Sequence, residues 1–391
     1  MDIFITGAAR TPMGGFQGEL SGLTGPQLGA AAIRAAVARA GVQAEEIDEA
    51  YMGCVLPAGV GQAPARQASI HGGLPNTVPC TTVNKVCGSG MKAMMLAADQ
   101  LRNGGAGVVV AGGMESMTNA PYLLPKARGG FRLGHGEIKD HMFLDGLEDA
   151  YEGRLMGTYA EDAARHYQFT RAEQDAYAIE SLTRAQRAQK EGSFEKEIVA
   201  VAVRGRGGDV AVSTDEQPRK ADAAKIPTLK PAFAKDGTVT AANSSSISDG
   251  AAALVLARGD VVAKRGFKPI ARIVAQASNA GEPRWFTTAP VKAIERALER
   301  AGWKKGDVDL FEINEAFAVV SMIALRDLSL SQDVVNVNGG ACALGHPIGA
   351  SGARIVVTLI NALERRGLKR GVASLCIGGG EATALAVELV A

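Results

Sequence analysis

The chain has 391 residues, of which 47% are hydrophobic and 21% charged, a composition that excludes disorder, a collagen-like fibre and a coiled coil. Lys and Arg total 42 against 41 Asp and Glu, so the net charge of +1 lacks the basic excess of a nucleic-acid-binding protein. The length predicts two or three coupled domains. The 48 glycines, against 15 prolines, favour tight turns over disordered linkers.

No feature of the sequence indicates export or a membrane. Residues 1–7 predict a first strand that runs into a turn, and no apolar run approaches the roughly 20 residues that span a bilayer. The five cysteines are odd in number and widely spaced, and neither a CxxC motif nor a histidine cluster indicates a metal site. We therefore expect no disulfide framework, no metal, and a reducing compartment, most simply the cytoplasm.

The first predicted helix, at 32–41, has apolar residues at three- and four-residue spacing and ends in glycine, which suits the left-handed position after a helix. An acidic turn and the apolar strand 47–51 follow. The same order returns at 293–302 and 308–311. This recurrence indicates an internal duplication.

A second pair of segments matches in the same order. Residues 87–90, Cys-Gly-Ser-Gly, open a predicted helix that leads to the strand 108–113, and residues 346–352 open a helix that leads to the strand 373–380. Strands and helices alternate in both halves, so each half is predicted to be a β-α-β layered unit. Two matching helices, each followed by a similar strand, favour duplication over chance.

Residues 117–246 differ from both halves, since they hold long polar helices such as 171–190 and short strands such as 197–203. They are predicted to be an insertion, after which the first half resumes. The predicted organisation is an N-terminal half at 1–116, an inserted domain at 117–246, the remainder of the N-terminal half at 247–267, and a C-terminal half at 268–391.

Cys87 stands at a predicted strand-to-helix turn and is followed by Gly88. Glycine there lets backbone N–H groups approach a substrate, and the start of a helix carries partial positive charge that stabilises a thiolate. These features indicate a nucleophile. The alternative that this turn leaves open is a buried cysteine that packs as a small hydrophobic residue.

His346 stands between Gly345 and Pro347 before the second matching helix, so its ring is held in place. A neutral imidazole takes a proton from a thiol and later donates hydrogen bonds to an oxyanion. The alternative is a histidine satisfied within a polar turn.

Two further strand ends complete the candidate set. Cys376 leaves a buried strand and meets the glycines that begin at Gly378, whose N–H groups can serve as oxyanion donors. Asn314 follows another strand, and its side chain can hold a water, although an Asn-Glu pair alone is more often a turn. If Cys87 and His346 occupy equivalent loops of the two halves, these residues converge across a pseudo-two-fold axis.

Together these segments resemble the thiolase family. Cys-Gly-Ser-Gly, Asn-Glu-Ala-Phe, Gly-His-Pro and Cys-x-Gly-Gly-Gly occur in thiolase order at about thiolase spacing, and the resemblance runs from Arg10 to the last strand. It implies an α/β protein with the thiolase-like five-layer αβαβα fold of two duplicated halves, with an inserted loop domain that binds coenzyme A. Segments 237–243 and 249–253 make the chain similar to the thiolases that form acetoacetyl-CoA.

The resemblance also implies roles. Cys87 is the acyl-accepting nucleophile, His346 its activator, and Cys376 the acid and base that moves the α-proton. His346 with a water held by Asn314 forms one oxyanion hole, and the N–H groups of Cys87 and Gly378 form the other. The positions that match coenzyme-A or substrate contacts are Ser245, Leu147, Met156, Arg219, Phe233, Ala316, Phe317 and Phe286.

The implied reaction is the reversible ping-pong condensation of two acetyl-CoA to acetoacetyl-CoA and CoA. The expected partners are acetyl-CoA, acetoacetyl-CoA or another short 3-ketoacyl-CoA, and CoA, with no nucleic acid. Coenzyme A thioesters are then substrates, so we expect no cofactor. Thiolases are typically dimers of dimers, which implies a homotetramer.

Some positions depart from the family pattern. Leu155 stands where many biosynthetic thiolases have His, which makes the acyl pocket more apolar. Phe286 matches a type that accepts 2-methyl-branched substrates, but Thr287 replaces the proline that follows it there. Pro218 occupies the place of a potassium-binding Tyr, so we predict no potassium site. The run 244–246 differs from the commoner Asn-Ala-Ser-Gly.

Three alternatives are set against this reading. One is a degradative 3-ketoacyl-CoA thiolase of broader or 2-methyl-branched specificity. Another is a ketoacyl synthase, which uses one Cys with two His where this chain has Cys376. The last is a non-catalytic acyl-CoA-binding protein on the same fold, against which the three reactive side chains argue.

Overall fold

The computed structural model describes residues 1–205 and 207–390. Strands and helices alternate along both halves, as the periodic patterns predict. The strands are β1 (Ile3–Arg10), β2 (Gly14–Gly15), β3 (Glu49–Gly53), β4 (Cys80–Val83), β5 (Val108–Ser116), β6 (Tyr122–Leu123), β7 (Lys139–Asp140), β8 (Val201–Gly205), β9 (Gly208–Val212), β10 (Ser248–Arg258), β11 (Ala271–Ala280), β12 (Leu310–Ile313), β13 (Arg370–Ile377) and β14 (Glu381–Leu389).

Several helices begin or end at recognisable capping residues. Thr24 and Gln27 form a capping box at the start of the first helix, and Gly41 ends it in the left-handed conformation, as Gly302 ends its counterpart. The helices are α1 (Gly25–Ala40), α2 (Pro64–His71), α3 (Ser89–Arg102), α4 (Met156–Tyr167), α5 (Arg171–Lys190), α6 (Glu216–Lys220), α7 (Gly259–Arg265), α8 (Ala289–Ala301), α9 (Ala318–Asp327), α10 (Ala341–Leu344) and α11 (Ile348–Arg366).

The two halves pair their strands in the same order and direction. In the N-terminal half the order is β4-β3-β5-β10-β1, and in the C-terminal half it is β12-β13-β14-β11. The pairs β3–β5 and β12–β13 are parallel, whereas β5–β10 and β13–β14 are antiparallel. The strands β1 and β11 pair at Ile3–Ile5 and Ala271–Ile273, which joins the two half-sheets along one edge.

Smaller irregularities repeat as well. A bulge interrupts β1 between Ile5 and Gly7, and the matching bulge interrupts β11 between Ile273 and Ala275. Asp48 accepts two backbone N–H groups at the start of β5, and Asp309 accepts two at the start of β13. Because a bulge and a side-chain bridge recur at equivalent places, the predicted duplication is confirmed.

The helices and sheets stack in five layers. The helices α3 and α11 pack on each other between the half-sheets, while α1 and α2 cover the outer face of one and α8 and α9 that of the other. Alternate residues of β5 therefore face different layers: Val109 and Ala111 pack with α3 and α11, and Val108 and Val110 pack with α1. The predicted αβαβα architecture is confirmed.

The segment between β5 and β10 carries β6 to β9 and α4 to α6. A buried ion-pair cluster attaches it to β1, since Arg10 lies 2.6 Å from Asp215 and 2.5 Å from Glu197. The chain then returns to the N-terminal half-sheet at β10. None of the described helices has the length and apolar character that crossing a bilayer requires.

Candidate active site

The site lies where the first turns of α3 and α11 meet. Gly90 of α3 is so close to α11 that a Cβ on it would lie 2.9 Å from the backbone nitrogen of Ala353, and a Cβ on Gly352 would overlap the backbone nitrogen of Met91. These glycines let the two helix backbones touch. The residues that precede the helices, Cys87 and His346, are thereby brought to one place.

The turn that carries Cys87 has an unusual backbone. Val86 has φ of 46°, a left-handed conformation that a β-branched side chain rarely adopts. The hydroxyl of Ser89 stabilises the turn, because it accepts from the Lys85 N–H at 2.8 Å and donates to the Val86 carbonyl at 2.6 Å. Lys85 also forms a salt bridge with Glu381, just beyond the Gly378–Gly380 loop. Strain of this kind concentrates at functional sites.

The Cys87 thiol is neutral in the resting protein. Burial raises its pKa to about 11, although the N–H groups of Gly378 and of Cys87 itself act in the opposite direction. The same two N–H groups are the predicted oxyanion donors. A general base is therefore needed to form the thiolate during the reaction.

His346 is also neutral, and its tautomer is set by a neighbour. Burial, with the positive charge of Arg354, lowers its pKa to about 3. The Ser351 hydroxyl donates to the Pro347 carbonyl at 2.9 Å and lies 2.5 Å from Nδ1 of His346. Because that hydroxyl has only one proton, it accepts from Nδ1–H, which leaves Nε2 as the basic nitrogen. The Asn314 amide nitrogen lies 3.4 Å from Nε2.

Cys376 is buried near the end of β13. Burial, and next the negative charge that the Cys87 sulfur carries when it is ionised, raise the pKa of Cys376 well above its ordinary value. A thiol of high pKa is a weak acid and, once deprotonated, a strong base.

A cavity of about 360 Å³ opens onto this group. Three aromatic rings form part of its wall, with Phe317 edge-on to Phe233 at 6.0 Å and to Phe286 at 6.2 Å between ring centroids. The predicted site residues that line it are Cys87, His346, Gly378, Ser245, Leu147, Met156, Phe233, Ala316, Phe317 and Phe286.

Three predicted site residues do not line this cavity. Asn314 and Cys376 are buried behind its wall, where Asn314 still contacts His346. Arg219 lines a different surface depression and donates to Glu19 at 2.7 Å. In the single chain, Arg219 therefore lies apart from the other candidate site residues.

Sequence reasoning missed several residues. Phe143 and Ile348 line the cavity, and Ile348 directly follows the Gly-His-Pro motif that could have signalled it. Ser351 contacts the predicted base, and Glu115 binds the first turn of α11. No pattern marks Glu115, because it lies in a strand that is buried throughout.

The chain is similar to known proteins along nearly its whole length. The chain matches the family models described as thiolase, N-terminal domain, at residues 3–260, and thiolase, C-terminal domain, at residues 267–389. It is 50% identical over 389 residues to an acetyl-CoA acetyltransferase of Cupriavidus necator, with 99% of each chain covered. It is 51% identical over 392 residues to acetyl-CoA acetyltransferase 2 of Arabidopsis thaliana, covering 100% of this chain and 97% of that relative.

Solved structures agree as well. The crystal structure of the Bacillus anthracis acetyl-CoA acetyltransferase matches with a TM-score of 0.97 at 43% identity, covering 100% of this chain and 99% of that one. Both family models and full-length relatives point the same way, so the chain belongs to the thiolase family of acyltransferase enzymes.

Proposed function

We propose that the protein catalyses the reversible Claisen condensation of two acetyl-CoA molecules to acetoacetyl-CoA and CoA. The observation that carries the proposal is the pair of thiols, Cys87 at the cavity wall and Cys376 buried beside it. One thiol carries the acyl group while the other moves a proton. The names of the full-length relatives support the acetyl-CoA substrate.

The first half-reaction transfers an acetyl group to Cys87. Nε2 of His346 takes and keeps the thiol proton as the sulfur attacks the thioester carbon, and CoA departs as a thiolate, which is a good leaving group. The N–H groups of Cys87 and Gly378 donate to the carbonyl oxygen as it gains negative charge. Their effect on the pKa of Cys87 supports this role, since both N–H groups point at the sulfur.

The second half-reaction forms the carbon–carbon bond. The departing CoA thiolate takes the proton of the Cys376 thiol, the resulting Cys376 thiolate takes an α-proton from the second acetyl-CoA, and the enolate carbon attacks the Cys87 thioester. His346 then returns its proton to the Cys87 sulfur as that sulfur leaves, so both thiols and the imidazole end as they began. A thioester α-proton is only weakly acidic, so a base of high pKa suits this step.

Enolate stabilisation is assigned to His346 and to a water held by Asn314. The Oδ1 atom of Asn314 is buried and has no hydrogen-bond partner among the described residues, which supports a role in holding such a water. The thioester itself supplies the leaving group and acidifies the α-proton. For that reason we propose no cofactor.

The cavity wall supports binding of the acyl and pantetheine portion of the substrate. Leu155 and Phe286 make the part of the wall near the thiols apolar. This apolar lining is the feature that would suit a degradative enzyme of broader or 2-methyl-branched specificity. The names of the relatives do not favour that alternative or the non-catalytic one.

We also infer a homotetramer, on the evidence of an exposed apolar arm. The arm, residues 121–140, is closed by the β6–β7 pair and carries large apolar side chains that face solvent in the single chain. Leu133 is 97% exposed and Tyr122 is 70% exposed. Clustered apolar side chains on a soluble chain mark an interaction surface. The five free cysteines support a reducing compartment, for which we propose the cytoplasm.

Intact-mass analysis after addition of acetyl-CoA tests the proposal. The expected result is one acetyl group on Cys87 in the wild type, removed by added CoA, and none in Cys87→Ala. An adduct that persists in Cys87→Ala would remove the nucleophile assignment.

A further inference from the structure

Glu115 is a buried carboxylate, only 1% exposed, whose two oxygens both accept hydrogen bonds from other segments. Oε2 accepts from the N–H groups of Val55 and Gly349, each at 2.9 Å. Oε1 accepts from the N–H of Leu56 at 3.1 Å and from the thiol of Cys54 at 3.6 Å. Only a carboxylate offers acceptors on both atoms without bringing a proton of its own.

These bonds join the end of β5 and the segment 54–56 to the first turn of α11. Gly349 is the second residue of α11, so its N–H is one of those that no intrahelical carbonyl can accept. The contact is close, since a Cβ on Gly349 would lie 2.5 Å from Oε2 of Glu115. The first turn of α11 begins two residues after His346.

The duplication shows that this carboxylate is particular to one half. Glu115 pairs with Gly250 in the N-terminal half-sheet, and Ile377 pairs with Glu381 at the equivalent place in the other. Each of these residues contacts the start of a helix in the opposite half. Glu115 accepts from an N–H of α11. Ile377 lies against Gly88, the residue before α3, so closely that a Cβ on Gly88 would overlap its side chain. The equivalent strand position thus carries an anionic side chain at the start of α11 and an apolar side chain at the start of α3.

That difference has a chemical consequence. A helix start attracts negative charge through its free N–H groups. At α11 the Glu115 carboxylate already occupies one of those groups, whereas the equivalent residue beside the start of α3, Ile377, is apolar and accepts none of them. The substrate oxygen is then directed to the turn of Cys87, and His346 is held as a base.

We propose that Glu115 is a positioning residue, which fixes the first turn of α11, and with it His346, against the N-terminal half. The inference rests on the proposed role of His346 as the base for Cys87. Glu115 itself touches no substrate, because it does not line the 360 Å³ cavity.

The test uses Glu115→Gln in the full chain. In either orientation of the amide, its NH₂ group faces a backbone N–H, so segment 54–56 or α11 is released. Glu216→Gln is the matched control, because Glu216 is also buried, accepts the N–H groups of Gly15 and Glu19, and does not line the cavity. Measurements are kcat and KM for acetyl-CoA, the single-turnover rate of Cys87 acetylation by intact mass, and Tm.

We expect Glu115→Gln to lower both kcat and the acetylation rate about tenfold or more, with KM changed less than about twofold and Tm lowered no more than in the control. Unchanged kcat, or a loss equal to that of Glu216→Gln, would overturn the proposal. Should Glu115→Gln not fold, Glu115→Ala replaces it, since water in the vacated space can accept the same N–H groups without tying the segments together. For Glu115→Ala we again expect a lower kcat with a KM for acetyl-CoA that changes less than about twofold. An unchanged kcat in Glu115→Ala would overturn the proposal.

His346→Ala separates this inference from the proposed function. Loss of Cys87 acetylation in His346→Ala with full activity in Glu115→Gln rejects only the positioning role. Acetylation at the wild-type rate in His346→Ala rejects the assignment of His346 as the base.

Discussion

Cys87 and His346 stand at the same place in the two duplicated halves, each two residues before the first residue of a buried helix. The helices α3 and α11 begin at Ser89 and Ile348, and they pack on each other in the central layer. Equivalent turns thus carry the proposed nucleophile in one half and the proposed base in the other. The distance between them depends on how closely the two helices approach.

Gly352→Ala tests that dependence. The added methyl group would overlap the Met91 backbone, which can yield only by separating α3 from α11. We expect a loss of about 1–3 kcal/mol in the free energy of unfolding and a lower kcat in the fraction that folds. Chemical denaturation and steady-state kinetics measure the two effects.

Gly306→Ala is the control, because a Cβ there meets no atom within 4 Å. Its stability should stay within about 0.5 kcal/mol of wild type. Equal kcat values for the two variants would show that helix contact does not set the catalytic geometry.

Ser351→Ala tests how the base is oriented. Without the hydroxyl, Nδ1–H of His346 loses its acceptor, and the tautomer with a basic Nε2 loses its advantage. A net hydrogen bond of about 1 kcal/mol predicts a fall in kcat of about fivefold, with KM for acetyl-CoA unchanged. Ser69→Ala is the matched control, since Ser69 is a buried helical serine that also donates to the carbonyl four residues earlier. A similar kcat in both variants would contradict the orienting role.

Alkylation of the free enzyme tests the protonation state of Cys87. Iodoacetamide reacts with thiolate, and burial places the Cys87 pKa at about 11. The alkylation rate should therefore rise about tenfold per pH unit from about pH 6 to 9. His346, with a pKa of about 3, does not titrate in this range. Peptide mapping assigns the modified cysteine, and a plateau near neutral pH would instead indicate a thiolate–imidazolium pair.

The exposed arm predicts the oligomeric state. A double variant, Leu133→Glu with Ile138→Glu, would bury charges at any interface that the arm forms, so the proposed tetramer should dissociate while the circular dichroism spectrum is unchanged. Val210→Glu is the control, because Val210 is an exposed apolar residue outside the arm. Light scattering reports the mass, and a variant that stays tetrameric would exclude the arm from the interface.

Motif and repeat together predicted that the candidate residues converge, and the structure brings Cys87 and His346 to one cavity. Cys87 and His346 each precede a helix and Cys376 lies at the end of a strand that meets a glycine run, and these local patterns are visible in one sequence. The repeat then places the first two in equivalent loops. The layered architecture follows from the same alternation of strands and helices.

The remaining residues were not predictable in this way. Glu115 binds groups far away in sequence. Ser351 lies only five residues from His346, but nothing in the neighbours of either residue distinguishes it from an ordinary buried polar residue. Arg219 lies in the insertion, where no periodic pattern fixes how the chain folds against the two halves. Its match to a family position did not bring it to the cavity of the single chain.

Acetyl-CoA treatment of Cys376→Ala tests the proposed division of work between the two thiols. Intact mass shows acetylation of Cys87, and exchange of α-protons of acetyl-CoA in deuterated water shows enolate formation. We expect normal acetylation, with exchange and acetoacetyl-CoA formation reduced by about 100-fold or more. Condensation at the wild-type rate in Cys376→Ala would contradict that division of work.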